Sequence, residues 1–266
     1  MLFLFSLALM LTYIGYPLTK HFLVRYHLVI ENYSGNQLPV GYGILLVINA
    51  IIILAIGQTI NIYPRQLSLS FLFLISVVAL VGLLDDYFGD GTNRGFSGHL
   101  GKLFYDFEIT TGLLKVILIG VAAFLIVNRL NSDLFLLGVN FLVIVLMTNF
   151  INLLDLRPGR ALKGFIIIIL ITGLFFNKLI MPLLAMTLIL LPIDLREEAM
   201  LGDVGSNFLG SFLGLSLVFS LESIYKLILI SFLLLIHLYT EKYSLTEFIS
   251  QNKLLNYLDE LGRSKP

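Results

Sequence analysis

Apolar residues run along this chain in nine long stretches, near 2–19, 41–60, 67–84, 109–128, 133–153, 163–176, 179–193, 206–221 and 224–240, separated by short polar joints. A helix needs about 20 mostly apolar residues to cross ~30 Å of hydrocarbon, so each stretch predicts a membrane-crossing helix. Asn177, Lys178 and Pro182 interrupt the run from 163 to 193. As one helix that run would measure ~45 Å at about 1.5 Å per residue, longer than a tilted crossing needs, so two short helices are expected. The first stretch has neither a basic segment before it nor a small-residue cleavage site ahead of Lys20, which predicts a retained anchor. From Tyr239 the chain turns polar, and Ser244-Leu245-Thr246-Glu247 reads as a capping box opening a short helix against the membrane or the loops. The expected architecture is an all-α, polytopic bundle of about nine helices over 1–240, followed by a tail over 241–266.

Composition sharpens this picture. With 58% apolar and 13% charged residues, the chain has too few polar side chains to cover a water-facing surface. Zero net charge removes the electrostatic case for nucleic acid. Without cysteine there is no disulfide, iron–sulfur cluster or thiol nucleophile, so any metal must be held by oxygen or histidine. Nine crossings put the termini on opposite sides. Placing the N-terminus outside gathers Lys20, Arg25, Arg94, Lys102, Arg157, Arg160, Lys163, Arg196, Lys242, Lys253, Arg263 and Lys265 in the cytoplasm. Only Arg65, Arg129, Lys178 and Lys226 then lie outside, and Lys115 falls within a span. Twelve against four orients the protein with a cytoplasmic C-terminus.

Of the seventeen acidic residues, all but Asp133 and Glu222 fall on that same cytoplasmic side. Ordinary loop hydration accounts for some. Several, however, abut the ends of apolar helices, where an unpaired carboxylate is costly. Three loops, near 85–108, 155–163 and 194–206, carry the candidate chemistry. The first holds the adjacent pair Asp85-Asp86, one able to meet a metal and the other a substrate or proton, followed by a glycine-rich basic run ending at Lys102. The second ends a span with Asn149, Asn152 and Asp155 at three-residue spacing, one drifting polar stripe on a helix. Arg157, Arg160 and Lys163 follow it, either as topology anchors or as an anion clamp. The third is Gly202-Asp203-Val204-Gly205-Ser206, whose glycines allow a ligand close approach and whose helix N-terminus offers N–H donors to phosphate. Upstream, Asp194, Glu197 and Glu198 read as solvated loop charges. Counting spans puts all three loops on one face.

In this order the motifs resemble those of the polyprenyl-phosphate N-acetylhexosamine-1-phosphate transferase family, which includes phospho-N-acetylmuramoyl-pentapeptide transferase and undecaprenyl-phosphate GlcNAc-1-phosphate transferases. Leu83-Leu84-Asp85-Asp86-Tyr87 is similar to its paired-aspartate motif and Gly101-Lys102-Leu103 to the element after it. Asn149-x-x-Asn152-Leu153-x-Asp155 and Leu201-Gly202-Asp203-x-Gly205-Ser206 resemble the other two signatures. The resemblance covers about 35–215. It implies a multi-pass enzyme of a prokaryotic plasma membrane that uses Mg²⁺ to move a sugar phosphate from a UDP-sugar to polyprenyl phosphate, releasing UMP. Its partners would be those two substrates and membrane lipid, with a homodimer as the expected protein assembly. It further implies catalytic roles for Asp85, Asp86 and Asp203, with Asp203 and Asp86 on the metal and Lys102 on phosphate. Asn149, Asn152 and Asp155 would hold the nucleotide.

This chain departs from the family where Leu156-Arg157-Pro158-Gly159 follows Asp155 in place of Gly-x-Asp-Gly. The second carboxylate is absent, and Arg157 and Arg160 are expected to replace it by clamping the donor diphosphate. The four histidines are scattered, so the family's histidine-rich loop has no counterpart, and nine spans stand where better-known members have ten. Two other readings fit the residues: a weakened family member serving as a scaffold or lipid-diphosphate binder, and a transporter using Lys115 as its intramembrane charge. Against the second, Lys115 lies near a helix end from which it can snorkel, and no inverted repeat is evident.

Overall fold

The computed structural model describes residues 1–31, 35, 37–89, 110–130 and 133–263. Over these the protein is a helical membrane protein. The helices are α1 (Leu2–Arg25), α2 (Ile44–Thr59), α3 (Arg65–Phe88), α4 (Thr111–Leu130), α5 (Leu134–Leu154), α6 (Arg160–Ile171), α7 (Ile180–Leu195), α8 (Gly202–Ser220), α9 (Ser223–Thr240), α10 (Leu245–Gln251) and α11 (Lys253–Glu260). Every apolar stretch is therefore helical, but their lengths differ. Five of them, α1, α3, α4, α5 and α9, are long and apolar enough to cross a membrane. The break expected between 163 and 193 falls at 172–179, where Gly173 turns through a left-handed φ of 69° before a 3-10 turn. The resulting α6 and α7 have 12 and 16 residues.

The centre of the bundle is α8, buried on all sides from Val204 to Val218. Its small residues explain both its position and its modest hydropathy. A Cβ placed on Gly210 would lie 2.6 Å from the Thr148 Cα, and one on Gly214 would lie 2.9 Å from the Ile144 Cα. The α5 backbone thus lies directly against α8, the close approach that small residues permit between membrane helices. At its N-terminal end α8 meets α2 and α3 the same way: a Cβ on Gly43 would sit 2.2 Å from the Gly205 Cα, and one on Gly82 would sit 2.5 Å from the Val204 Cα. Aromatic packing continues the α3–α8 contact, with Phe71 and Phe212 ring centroids 4.6 Å apart. Serines 211 and 216 satisfy their hydroxyls on α8's own carbonyls.

An unexpected element is a short antiparallel hairpin, β1 (Val29–Glu31) and β2 (Gln37–Pro39), in the joint between α1 and α2. It continues into a bridge between Val40 and Met200, with the Met200 N–H donating to the Pro39 carbonyl at 2.7 Å. The hairpin is thereby stitched to the segment that opens α8. The tail forms the capped helix that its sequence predicts, the Ser244 hydroxyl accepting the Glu247 N–H at 3.3 Å. A second short helix, α11, follows, capped by Asn252.

Candidate functional site

The end of α3, the start of α4 and the start of α8 converge on three carboxylates and one ammonium. Lys115 donates to Asp85 Oδ2 at 2.5 Å and to Asp203 Oδ2 at 2.6 Å. The Lys115 and Asp85 side chains are 13% exposed, and that of Asp203 is 29% exposed. A cation between two carboxylates at the rim of an apolar bundle is held by both charge and hydrogen bonding, which burial makes stronger than in water. Lys115 is thus the hub of the site. Its sequence context shows a lone charge in an apolar helix and nothing of what it faces.

Asp86 has a different task. The Asp203 N–H donates to its Oδ1 at 2.7 Å and the Val204 N–H to its Oδ2 at 3.1 Å, so this carboxylate caps α8 from another helix. The first-turn donors that the sequence offers to a substrate phosphate are taken by the protein's own anion, which the positive end of the helix favours equally. The glycines around Asp203 serve the same packing. Gly202 has φ 76°, and a Cβ there would meet Asp86 oxygens at 2.7 and 2.9 Å, while Gly205 admits Gly43. The close approach expected for a ligand is made by the chain itself.

Asn152 and Asp155 come to this face, and Asn149 does not. Ser206 donates to the Asn152 Oδ1 at 2.7 Å, joining the second loop to the third. Asn149 stays exposed on α5, because three-residue spacing drifts around a 3.6-residue helix. Asp155, one residue beyond α5, is pushed above the usual carboxylate range by burial, with Asp194, Asp203 and Asp86 adding repulsion in the same direction. It lines a cavity of about 110 Å³ together with Leu156, Arg157 and Pro158. Glu31 and Leu38 of the hairpin, Asp194 in the last turn of α7 and Glu197 just beyond it form other walls. Lys102, the remaining predicted phosphate contact, lies outside the described residues.

Two charges correct the sequence reading. Asp194, expected to be a solvated loop charge, is 5% exposed and accepts the Gly159 N–H at 2.7 Å. Arg160, expected to clamp a diphosphate beside Arg157, is 5% exposed. Its Nε and Nη2 each donate to Asp259 at 2.8 Å, and its Nη1 donates to the Thr246 hydroxyl at 2.9 Å. The fork that suits phosphate is filled by a carboxylate of the tail.

That pairing is acid-labile. Burial alone would raise the Asp259 carboxyl, but the hydrogen bonds and charges of Arg160 and Arg263 outweigh it and hold the group below its ordinary value. A depressed carboxyl contributes its stability above the unfolded value of about 3.9 and loses it as pH falls through its own lower value. Proteolytic cutting of the tail is therefore expected to be slow at neutral pH and to accelerate only below about pH 4. An unchanged cutting rate across that window would show that Asp259 does not hold the tail.

Carboxylates suit a hard divalent cation such as Mg²⁺, which takes one or two carboxylates and completes its shell with water and substrate phosphate. Asp85 and Asp203, already gathered around a cationic group, fit that mode. Among the described residues no group of three or more acidic or histidine side chains forms a closed metal cage. Compared with known proteins, the chain matches no family model and no curated sequence.

Proposed function

We propose that this protein transfers a sugar phosphate of the N-acetylhexosamine type from a UDP-sugar to a polyprenyl phosphate at the cytoplasmic membrane surface. The observation that carries this reading is the sharing of Lys115 by Asp85 and Asp203, residues of two separate motifs meeting at the boundary between apolar helices and water. A lipid phosphate and a soluble nucleotide can meet only at such a boundary.

In this reading a lipid phosphate oxygen attacks the sugar-bearing phosphorus of the donor, and the bond to UMP breaks. Asp85 orients the lipid phosphate and accepts a proton if it carries one, while Lys115 turns from the carboxylates to the phosphates and attracts their charge. Asn152 and Asp155 face the nucleotide side, with Arg157 along the cavity wall. Mg²⁺, held by Asp203 with Asp85, would neutralise the diphosphate and assist the leaving group. Asp86 acts as the cap that fixes Asp203, its oxygens being committed to backbone donors.

The test is direct. Membranes holding this protein, polyprenyl phosphate, Mg²⁺ and labelled nucleotide-sugars are expected to form lipid-linked product with a UDP-N-acetylhexosamine and to release UMP. A folded preparation that forms none with any donor would overturn the assignment. The alternative would then be a catalytically silent lipid-diphosphate binder, a reading favoured by the way Lys115 already pairs with both acids.

The same reading includes nine crossings, with the N-terminus outside and the tail cytoplasmic. In this cysteine-free chain, Glu222→Cys is expected to react with an impermeant thiol reagent on intact cells, and Ser250→Cys only after lysis. The reverse pattern would invert the topology.

A further inference from the structure

Beyond the site itself, a dense set of polar contacts joins the tail to the loop after α5 and the first turn of α6. Besides the Arg160 fork, Lys163 donates to the carbonyls of Leu258 at 3.0 Å and Asp259 at 2.6 Å, near the carbonyl end of α11. A cation is favoured at that end of a helix. Arg263 returns from the tail to the Pro158 carbonyl at 2.9 Å and to Asp259 at 2.7 Å. Leu195 is wedged between the two segments: a Cβ on Gly159 would lie 2.4 Å from one of its methyls, and one on Gly262 would lie 3.1 Å from the other.

These contacts have a direction. Pro158 forms part of the cavity wall, and Gly159, held in a left-handed turn of φ 73°, donates its N–H to Asp194 at 2.7 Å. Among the described residues, the hydrogen bonds of the two tail helices to the rest of the chain run to Arg160 and Lys163. The tail therefore grips the first turn of α6 and, through Arg263, the loop just before it. A buried, bidentate ion pair is a demanding way to attach a tail, since both charges lose water and the geometry must be right.

We infer that the tail is a strap that positions the Leu156–Pro158 wall of the donor cavity, with Asp259 and Arg263 as positioning residues acting through Arg160 and the Pro158 carbonyl. This rests on the donor side of the proposed transfer reaction. It also reassigns Arg160, which holds the loop and leaves the donor phosphates to other groups.

The full chain in lipid nanodiscs tests this with two readouts. Amide exchange of peptides covering 156–160 is expected to speed at least tenfold in Asp259→Ala and in Arg160→Ala, while peptides of α8 keep the wild-type rate. In the transfer assay both variants are expected to raise the donor KM several-fold, with kcat and the lipid KM within about twofold. Because the two side chains act as one unit, the double variant should be no worse than the worse single. The charge exchange Arg160→Asp with Asp259→Arg is expected to recover part of the protection. If Asp259→Ala does not insert, Thr246→Val, which removes only the Nη1 contact, is expected to give a smaller acceleration. Unchanged exchange in folded variants would overturn the strap. So would a donor KM that falls in Asp259→Ala and rises in Arg160→Ala, the signature of an arginine released to clamp the donor. A wild type that transfers nothing would end the transferase reading alone, because the exchange measurement needs no activity.

Discussion

Asp203→Asn is expected to lower the transfer rate at least about a hundredfold while the protein stays folded. Asparagine keeps the volume and the backbone N–H that reaches Asp86, and Lys115 keeps Asp85 as a partner. The full negative charge that would hold a divalent cation against the donor is lost. Two decades of rate correspond to about 2.7 kcal/mol, well within what electrostatic stabilisation of phosphoryl transfer supplies. Initial rates over a Mg²⁺ titration are the measurement. A variant with near wild-type rate and unaltered Mg²⁺ dependence would remove Asp203 from the reaction.

Lys115→Met should be as damaging to activity and should also destabilise the fold. It leaves Asp85 and Asp203, gathered around the lost ammonium, without a counter-charge at the edge of the apolar region. Breaking a buried pair from one side costs about 3–5 kcal/mol, and the partial exposure of Asp203 places this case toward the low end. Thermal unfolding in detergent should show the loss. Adding Asp85→Asn should restore much of the stability and none of the activity, since one uncompensated charge disappears along with a reacting group. If Lys115→Met unfolds like the wild type, the three groups do not form a unit.

The helices were legible in the sequence because each apolar run is long and sharply bounded, and even the break near Asn177 and Pro182 announced itself. The acidic motifs were legible too, since carboxylates at the ends of apolar helices are conspicuous. What these side chains face was not. Lys115 reads as a snorkelling lysine until α3 and α8 are placed beside it. Asp194 and Arg160 sit at helix ends beside polar joints that look hydrated, yet each is paired with a segment far away in the chain, Gly159 for one and Asp259 for the other. Asp86 looks equivalent to its neighbour Asp85, and only the direction of the α8 N-terminus separates a cap from a reactant. The hairpin is too short for its pattern to stand out, and its stability comes from pairing to Met200.

The glycine contacts at the head of α8 carry one more consequence. Bilayers vary in thickness, and helices accommodate by tilting, at a small cost per ångström of mismatch. Where layers of side chains separate two helices, such tilting can be absorbed by changes of rotamer. At Gly43 against Gly205 and Gly82 against Val204, main chain lies on main chain and no such cushion exists. The tops of α2, α3 and α8 should therefore move as one piece when the lipid changes, carrying Asp86 and Asp203 at fixed separation. The chemistry would then be insulated from membrane thickness, and adaptation to different lipids would fall to the far ends of the helices.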